Sequence, residues 1–188
     1  MTPTIYTRSG DEGETYAPLA GRVPKTHPCV EAVGDLDEAE SILALAEAEA
    51  RSEGDERLAE ILAWCQEALF RIGFQLWQEG LPEHRRRRCV SDEDVAKAEK
   101  WIDELLPTPP RLFQLHPADR LAATIAYARA VTRRAERSLW RCIASAAREP
   151  SEELRIAARL LNRLSDLLFA AEYSVAKRKG LERHVACR

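Results

Sequence analysis

Residues 129–137 read RAVTRRAER, and the reading of this stretch decides the fold. Five of its nine residues are charged, and four of those are arginines. It lies inside a run otherwise rich in alanine, leucine and isoleucine. Arg129, Arg133 and Arg137 are spaced i, i+4, i+8, so a helix sets all three on one stripe, with Glu136 inside it. Leu121, Ile125, Ala128, Thr132, Ala135, Leu139 and Ile143 form a second stripe that faces a core. Like charges at i, i+4 cost an isolated helix roughly 0.2–0.5 kcal/mol each. A row of three therefore calls for acidic partners or a bound anion. Two readings stand open: a solvated face with local Arg–Glu pairs, or an anion site. Spacing alone favours the solvated face.

The same periodicity extends in both directions from this stretch. The helix that contains it starts near Pro117 and reaches about Arg148, roughly 48 Å if unbroken. A first helix begins at Pro28, since proline suits a first helical turn, and runs to about Arg51. Val30, Val33, Leu36, Ala39, Ile42, Leu43 and Ala46 give its apolar face. Asp35, Asp37, Glu38 and Glu40 crowd its middle and are the obvious carboxylates to meet the arginine stripe. A second helix covers about Asp55–Gln78. A third starts after Ser91 as N-cap, with acids in its first turn, and ends near Leu105 before Pro107, Pro109 and Pro110. A fifth follows Ser151 as N-cap and runs to about Lys177, with Asn162 and Asp166 one turn apart.

No strand alternation is convincing, although Ile5-Tyr6-Thr7 is short and extended in character. Arg85-Arg86-Arg87-Arg88 reads as a mobile surface loop. The expected fold is therefore all-α. It is one domain over residues 1–188, with an N-terminal loop (1–27), a five-helix bundle (28–178) and a frayed tail (179–188).

Composition narrows the function classes. Charged residues are 31% and the net charge is −3, so no basic field argues for nucleic acid. No apolar run approaches the roughly 18 residues of a membrane span, and no signal-peptide core is present. Cys29, Cys65, Cys89, Cys142 and Cys187 are odd in number and far apart in sequence. Unpaired thiols in a reducing cytoplasm are the simplest account. His27, His84, His116 and His184 are scattered too, so no metal-ligand pattern exists. Near the N-terminus, Ser9-Gly10-Asp11-Glu12-Gly13-Glu14-Thr15 forms turns, and Gly21-Arg22-Val23-Pro24-Lys25 adds two cations. This is either a frayed arm or a loop that holds phosphates through amides, Arg22 and Lys25.

Three separated stretches line up with one family. TRSGDEGETYAPLAGRVPK (Thr7–Lys25) resembles the nucleotide loop of the PduO-type ATP:cob(I)alamin adenosyltransferases. Pro28, Val30, Ala32, Gly34, Asp37 and Glu38 match the pattern that comes after it. ARAVTRRAER matches that family's arginine motif, and LLNRLSDLLF (Leu160–Phe169) its last helix. The resemblance implies a helical bundle, ferritin-like in kind, that assembles as a homotrimer with active sites between subunits. It implies transfer of the 5′-deoxyadenosyl group of ATP, accompanied by Mg²⁺, to the cobalt of cob(I)alamin, with release of triphosphate. A reductase and a cobalamin-dependent enzyme are candidate partners.

It further implies an Asp37–Arg129 ion pair across a subunit interface. Arg133 and Phe113 join these two as catalytic residues, Phe113 on the lower face of the corrin. ATP contacts are expected from Thr7, Ser9, Gly10, Asp11, Thr15, Arg22, Lys25, Glu136 and Asn162. Asp166 is expected to pair with Arg163, and Arg134 and Arg141 to be merely solvated. Three departures stand out. Leu19-Ala20 replaces a usual glycine pair, His116-Pro117-Ala118 replaces Pro-Gly-Gly, and Glu40 replaces an asparagine. They leave a non-enzymatic ATP-binding or regulatory trimer, or a cobalamin chaperone, as the alternative. A helical interaction module without ligand is a third reading.

Overall fold

The computed structural model describes residue 6 and residues 8–17, 19–110, 113–147 and 149–185; of 113, 114, 184 and 185 it describes only the backbone. Five helices carry the fold: α1 (Pro28–Ser52), α2 (Glu56–Gln78), α3 (Asp92–Leu105), α4 (Arg120–Ser145) and α5 (Glu152–Arg178). Side chains that close orphan amides set the starts. His27 accepts from Cys29 N at 3.2 Å, and Asp55 accepts from Leu58 N at 3.0 Å. Asp119 accepts from Ala122 N at 3.0 Å, and Ser151 from Leu154 N at 3.1 Å. At α3 the Asp94 carboxylate reaches back to Ser91 N at 2.9 Å. Asp119 explains why α4 begins three residues later than its apolar pattern suggests.

α1 packs between α2 and α4, and α5 closes the ring between α4 and α2. Alanines at 32, 39, 46 and 50 are fully buried, which lets the α1 backbone approach its neighbours closely. α3 lies outside this four-helix ring against α5. It is pinned to α2 by an edge-on pair, Trp64 and Trp101, with ring centroids 5.0 Å apart. Lys97 Nζ sits over both rings, at 4.9 and 4.7 Å.

Several expectations need correcting. The chain is not purely helical. β1 (Glu14–Ala17) pairs antiparallel with β2 (Gly21–Pro24), and β3 (Phe113–Gln114) with β4 (His184–Val185). Within the expected frayed tail, His184–Val185 is therefore a paired strand, and 186–188 lie outside the described residues. Ile5 and Thr7 of the expected extended piece lie outside the described residues. Val33 is 39% exposed and not part of the core. The four-arginine run is not loose. Gln78 grips Arg87 from both sides, accepting from its N–H at 2.7 Å and donating to its C=O at 2.9 Å. Arg86 donates to Leu81 O at 2.9 Å and faces the buried Glu79.

Cys29 and Cys142 are not unpaired thiols either. They form a disulfide between the first turn of α1 and the last turn of α4, and both are fully buried. Closing a loop of this length stabilises by about 5 kcal/mol in the chain-entropy account. Unreduced, denatured protein is expected to titrate three thiols, the five cysteines less this pair. Cys29→Ser should lower stability by about that amount. Five reactive thiols, or an unchanged unfolding midpoint, would contradict the bond.

Candidate functional site

The rotation of α4 about its axis decides which arginines are available. Asp35 of α1 is 6% exposed. It accepts from Arg134 Nε at 2.9 Å and from the Ser138 hydroxyl. Arg134 also bonds Glu38, and Arg141 donates to Ser138 Oγ at 2.7 Å. Asp35 and Glu38 of α1 thus meet Arg134, which the sequence placed on a merely solvated side, and not the 129/133/137 stripe. Arg134, Ser138 and Arg141 share the α1-facing side of α4, so the stripe is turned toward α5 and solvent.

On that other side the structure gathers part of the expected set. Asn162 Nδ2 donates to Glu136 Oε1 at 3.0 Å. Arg163 donates to Asn162 Oδ1 at 2.8 Å and lies 3.7 Å from Asp166, the local pair the sequence suggested. Arg137 donates to the Arg133 carbonyl at 2.9 Å. Arg133 is exposed, and among the described residues no carboxylate meets its guanidinium. Arg129 lies over the Phe169 ring, 5.6 Å from its centroid, and its Nε is 3.7 Å from Glu172 Oε2. Glu172 is buried, and the sequence reading did not single it out. Its signal was an acid inside the Leu/Ala stripe of α5.

The phosphate-type loop is a separate group. Arg22 donates to Glu14 at 2.7 Å and to Ser9 O at 3.1 Å, both within the loop. Lys25 N donates to Gly13 O at 2.8 Å. A Cβ on Gly10 would lie 3.3 Å from Glu14 O, a tight contact, so glycine here lets the two backbone segments come close, with Lys25 Nζ beside them. Asp11 is exposed in the turn that precedes β1, and Thr15 faces Val23 across the hairpin. Leu19 holds φ 65°, the left-handed region that glycine favours. The Leu19-Ala20 departure therefore does not abolish the turn, at a cost of about 1 kcal/mol. Thr7 lies outside the described residues. Of Phe113 the structure describes only the backbone, in β3 beside β4.

Asp37 sits on a third surface, an apolar groove between α1 and α2 lined by Val33, Leu36, Leu69, Phe70, Phe74 and Trp77. Phe70, Phe74 and Trp77 are 62%, 45% and 45% exposed. Glu40 shares the groove. Burial, and next the Asp37 charge, push the Glu40 carboxyl above the ordinary glutamate range, against a hydrogen bond with Gln66. Two carboxylates in an apolar groove attract a cation, and among the described residues none pairs with Asp37. Asp37 and Arg129 are thus on different faces of one chain, α1–α2 and α4–α5.

A fold of this kind, with an arginine-faced helix and a phosphate-type loop, fits a nucleotide-handling helical bundle. A cobalamin adenosyltransferase family model matches residues 5–175, and the chain belongs to that family. The corrinoid adenosyltransferase PduO of Salmonella typhimurium is 35% identical over 98% of this chain and 54% of its own length. The corrinoid adenosyltransferase of Mycobacterium leprae is 36% identical over 88% of this chain and 87% of its own. The chain thus spans about half the length of the PduO relatives it matches. Among solved structures, a variant PduO-type ATP:corrinoid adenosyltransferase from Lactobacillus reuteri, complexed with cobalamin and ATP, superposes with a TM-score of 0.83. It is 25% identical and covers 98% of this chain and 99% of that one. A second variant of that enzyme, complexed with ATP, gives 0.81 at 26% identity, covering 98% and 100%. No helix among the described residues is long and apolar enough to cross a membrane.

Removing the acid that orients α4 should be costly. Asp35→Asn leaves the buried Ser138 hydroxyl without a charged acceptor and Arg134 with Glu38 alone. It is expected to lower stability by about 2 kcal/mol, discounted because Arg134 is partly exposed. The shift in urea midpoint measures this. A midpoint equal to that of the unaltered protein would show that Asp35 does not fix the helix.

Proposed function

We propose that this chain transfers the 5′-deoxyadenosyl group of ATP to the cobalt of cob(I)alamin, in sites between the subunits of a homotrimer. The observation that carries the reading is a mismatch of charges within one chain. Arg133 has no carboxylate and Asp37 no cation among the described residues, and they lie on different faces. A heterologous contact that brings the α1–α2 face of one copy to the α4–α5 face of the next satisfies Asp37 with Arg129 and closes into a ring. The exposed Phe70, Phe74 and Trp77 beside Asp37 supply apolar area for that contact.

In this reading ATP enters with Mg²⁺ as substrate. Arg133, Arg22 and Lys25, with amides near Ser9, Gly10, Asp11 and Thr15, hold the triphosphate through charge-assisted hydrogen bonds. Thr7, Glu136 and Asn162 orient the nucleoside end. The cobalt is the nucleophile. The Co–C bond forms as the C5′–O bond breaks, and triphosphate leaves with the electron pair. The protein supplies orientation and charge stabilisation rather than a nucleophile of its own. Phe113 lies toward the lower corrin face, keeping water and a lower ligand from the cobalt. A reductase that delivers the reduced corrinoid and an enzyme that uses the product are the partners this chemistry needs.

The test mixes purified protein with ATP, Mg²⁺ and chemically reduced cob(I)alamin and monitors adenosylcobalamin by absorbance. Product formation is expected. Binding of ATP with no product would favour the non-enzymatic trimer or chaperone. Binding of neither ligand would favour an interaction module. Arg133→Ala is expected to lower kcat/KM for ATP about tenfold or more with little change in stability, since it removes one charge-assisted contact from an exposed side chain. Unchanged ATP kinetics would remove Arg133 from the site.

A further inference from the structure

The segment between β3 and α4 is anchored at both ends. Phe113 and Gln114 pair with Val185 and His184, and Leu115 N donates to Arg183 O at 2.9 Å. At its far end Asp119, the cap of α4, accepts from Lys179 at 2.7 Å. Between these anchors one polar tether reaches the bundle: His116 Nδ1 is 2.7 Å from Glu172 Oε1. A carboxylate only accepts, so His116 Nδ1 carries the proton. The other oxygen of the same carboxylate points at Arg129 Nε, 3.7 Å away. That oxygen and that nitrogen are both buried and make no hydrogen bond of their own. Glu172 itself is 4% exposed, whereas the His116 side chain is 57% exposed. A buried carboxylate is costly without partners, so its two contacts are not incidental.

We propose that Glu172 is a positioning residue, its carboxylate joining the β3–α4 segment, through His116, to the arginine helix, through Arg129. This rests on the proposed adenosyl transfer, in which Phe113 at the head of that segment borders the corrinoid and Arg129 serves the same site. One buried charge then sets two things together. It fixes the path of the chain from Phe113 to α4, and it holds the Arg129 guanidinium against Phe169. A carboxylate can do this because its two oxygens serve two elements at once. An amide of the same shape presents one acceptor and one donor, and the donor would face either the His116 N–H or Arg129. The sequence partly conceals this role, because an isolated Glu in a leucine-rich helix gives no sign of which elements it meets.

Glu172→Gln tests the proposal with two readouts. Amide exchange in peptides spanning 113–119 is expected to rise about tenfold, while exchange in α1 and α2 stays as in the unaltered protein. In the adenosylation assay, KM for the corrinoid is expected to rise about tenfold and KM for ATP less than about twofold. His116→Ala, a change at an exposed side chain, should reproduce the corrinoid effect. The double variant should be no worse than the worse single one, as for two residues acting through one contact. Unchanged exchange at 113–119, a uniform rise across the chain, equal rises in both KM values, or additive effects of the two substitutions would each overturn the proposal. If Glu172→Gln does not fold, His116→Ala alone decides by the same criteria. An unaltered protein without turnover overturns the functional reading instead, and the exchange result then decides on the tether by itself.

Discussion

The buried carboxylate of Asp35 is the constraint on which the functional surface depends. It holds Arg134 and Ser138, and by doing so it fixes the rotation of α4 against α1. An α-helix turns 100° per residue, so fixing positions 134 and 138 fixes every other side chain on the rod. Arg134 and Arg141 are spent inside the fold. Arg129, Arg133 and Glu136 are left to face α5 and solvent. The disulfide between Cys29 and Cys142 ties the same two helices at one end. Buried alanines along α1 bring the two backbones close, so the rotation is set by shape as well as charge.

This rotation produces a division of charge that a single chain does not balance. The stripe faces one way and Asp37, with Glu40, lies in an apolar groove that faces another. The loop cations Arg22 and Lys25 make a third group near the start of α1. Burial, and next the neighbouring Asp37, raise the Glu40 carboxyl. In the proposed reaction, the missing partners come from a second copy and from the triphosphate of ATP. Membership of the cobalamin adenosyltransferase family, with residues 5–175 matched, gives that reading its chemical content.

The helices were legible because their signals are local. Pro28, Ser91 and Ser151 mark three starts, and apolar spacing gave all five rods to within a few residues. The arginine motif and the loop were legible as motifs. The illegible part depends on tertiary choice. Spacing cannot say which of two arginine stripes meets the acids of α1, and here Arg134 took the place expected for its neighbours. Strands of two to four residues are too short to show alternation. The Cys29–Cys142 bond joins residues 113 apart, which no spacing rule reveals. Gln78, which holds the four-arginine run, and Glu172 within α5 are single polar residues whose partners no spacing rule names. Leu19 accepts a left-handed backbone that a glycine would take at less cost, so the loop survives a change that looked disruptive.

The central claim is that the stripe on α4 is completed by the α1–α2 face of another copy. Co-expression of Asp37→Ala and Arg129→Ala chains, each carrying its own tag, tests it most directly. Each variant alone should be nearly inactive in adenosyl transfer. In a randomly mixed assembly, about a quarter of the interfaces join an intact Asp37 to an intact Arg129. Isolation through both tags removes the single-variant trimers, so one interface in three of the mixed rings is intact and activity should recover to about a third of that of the unaltered protein. Mixed assemblies as inactive as the separate variants would contradict the claim and place both residues in the same copy's site or outside it.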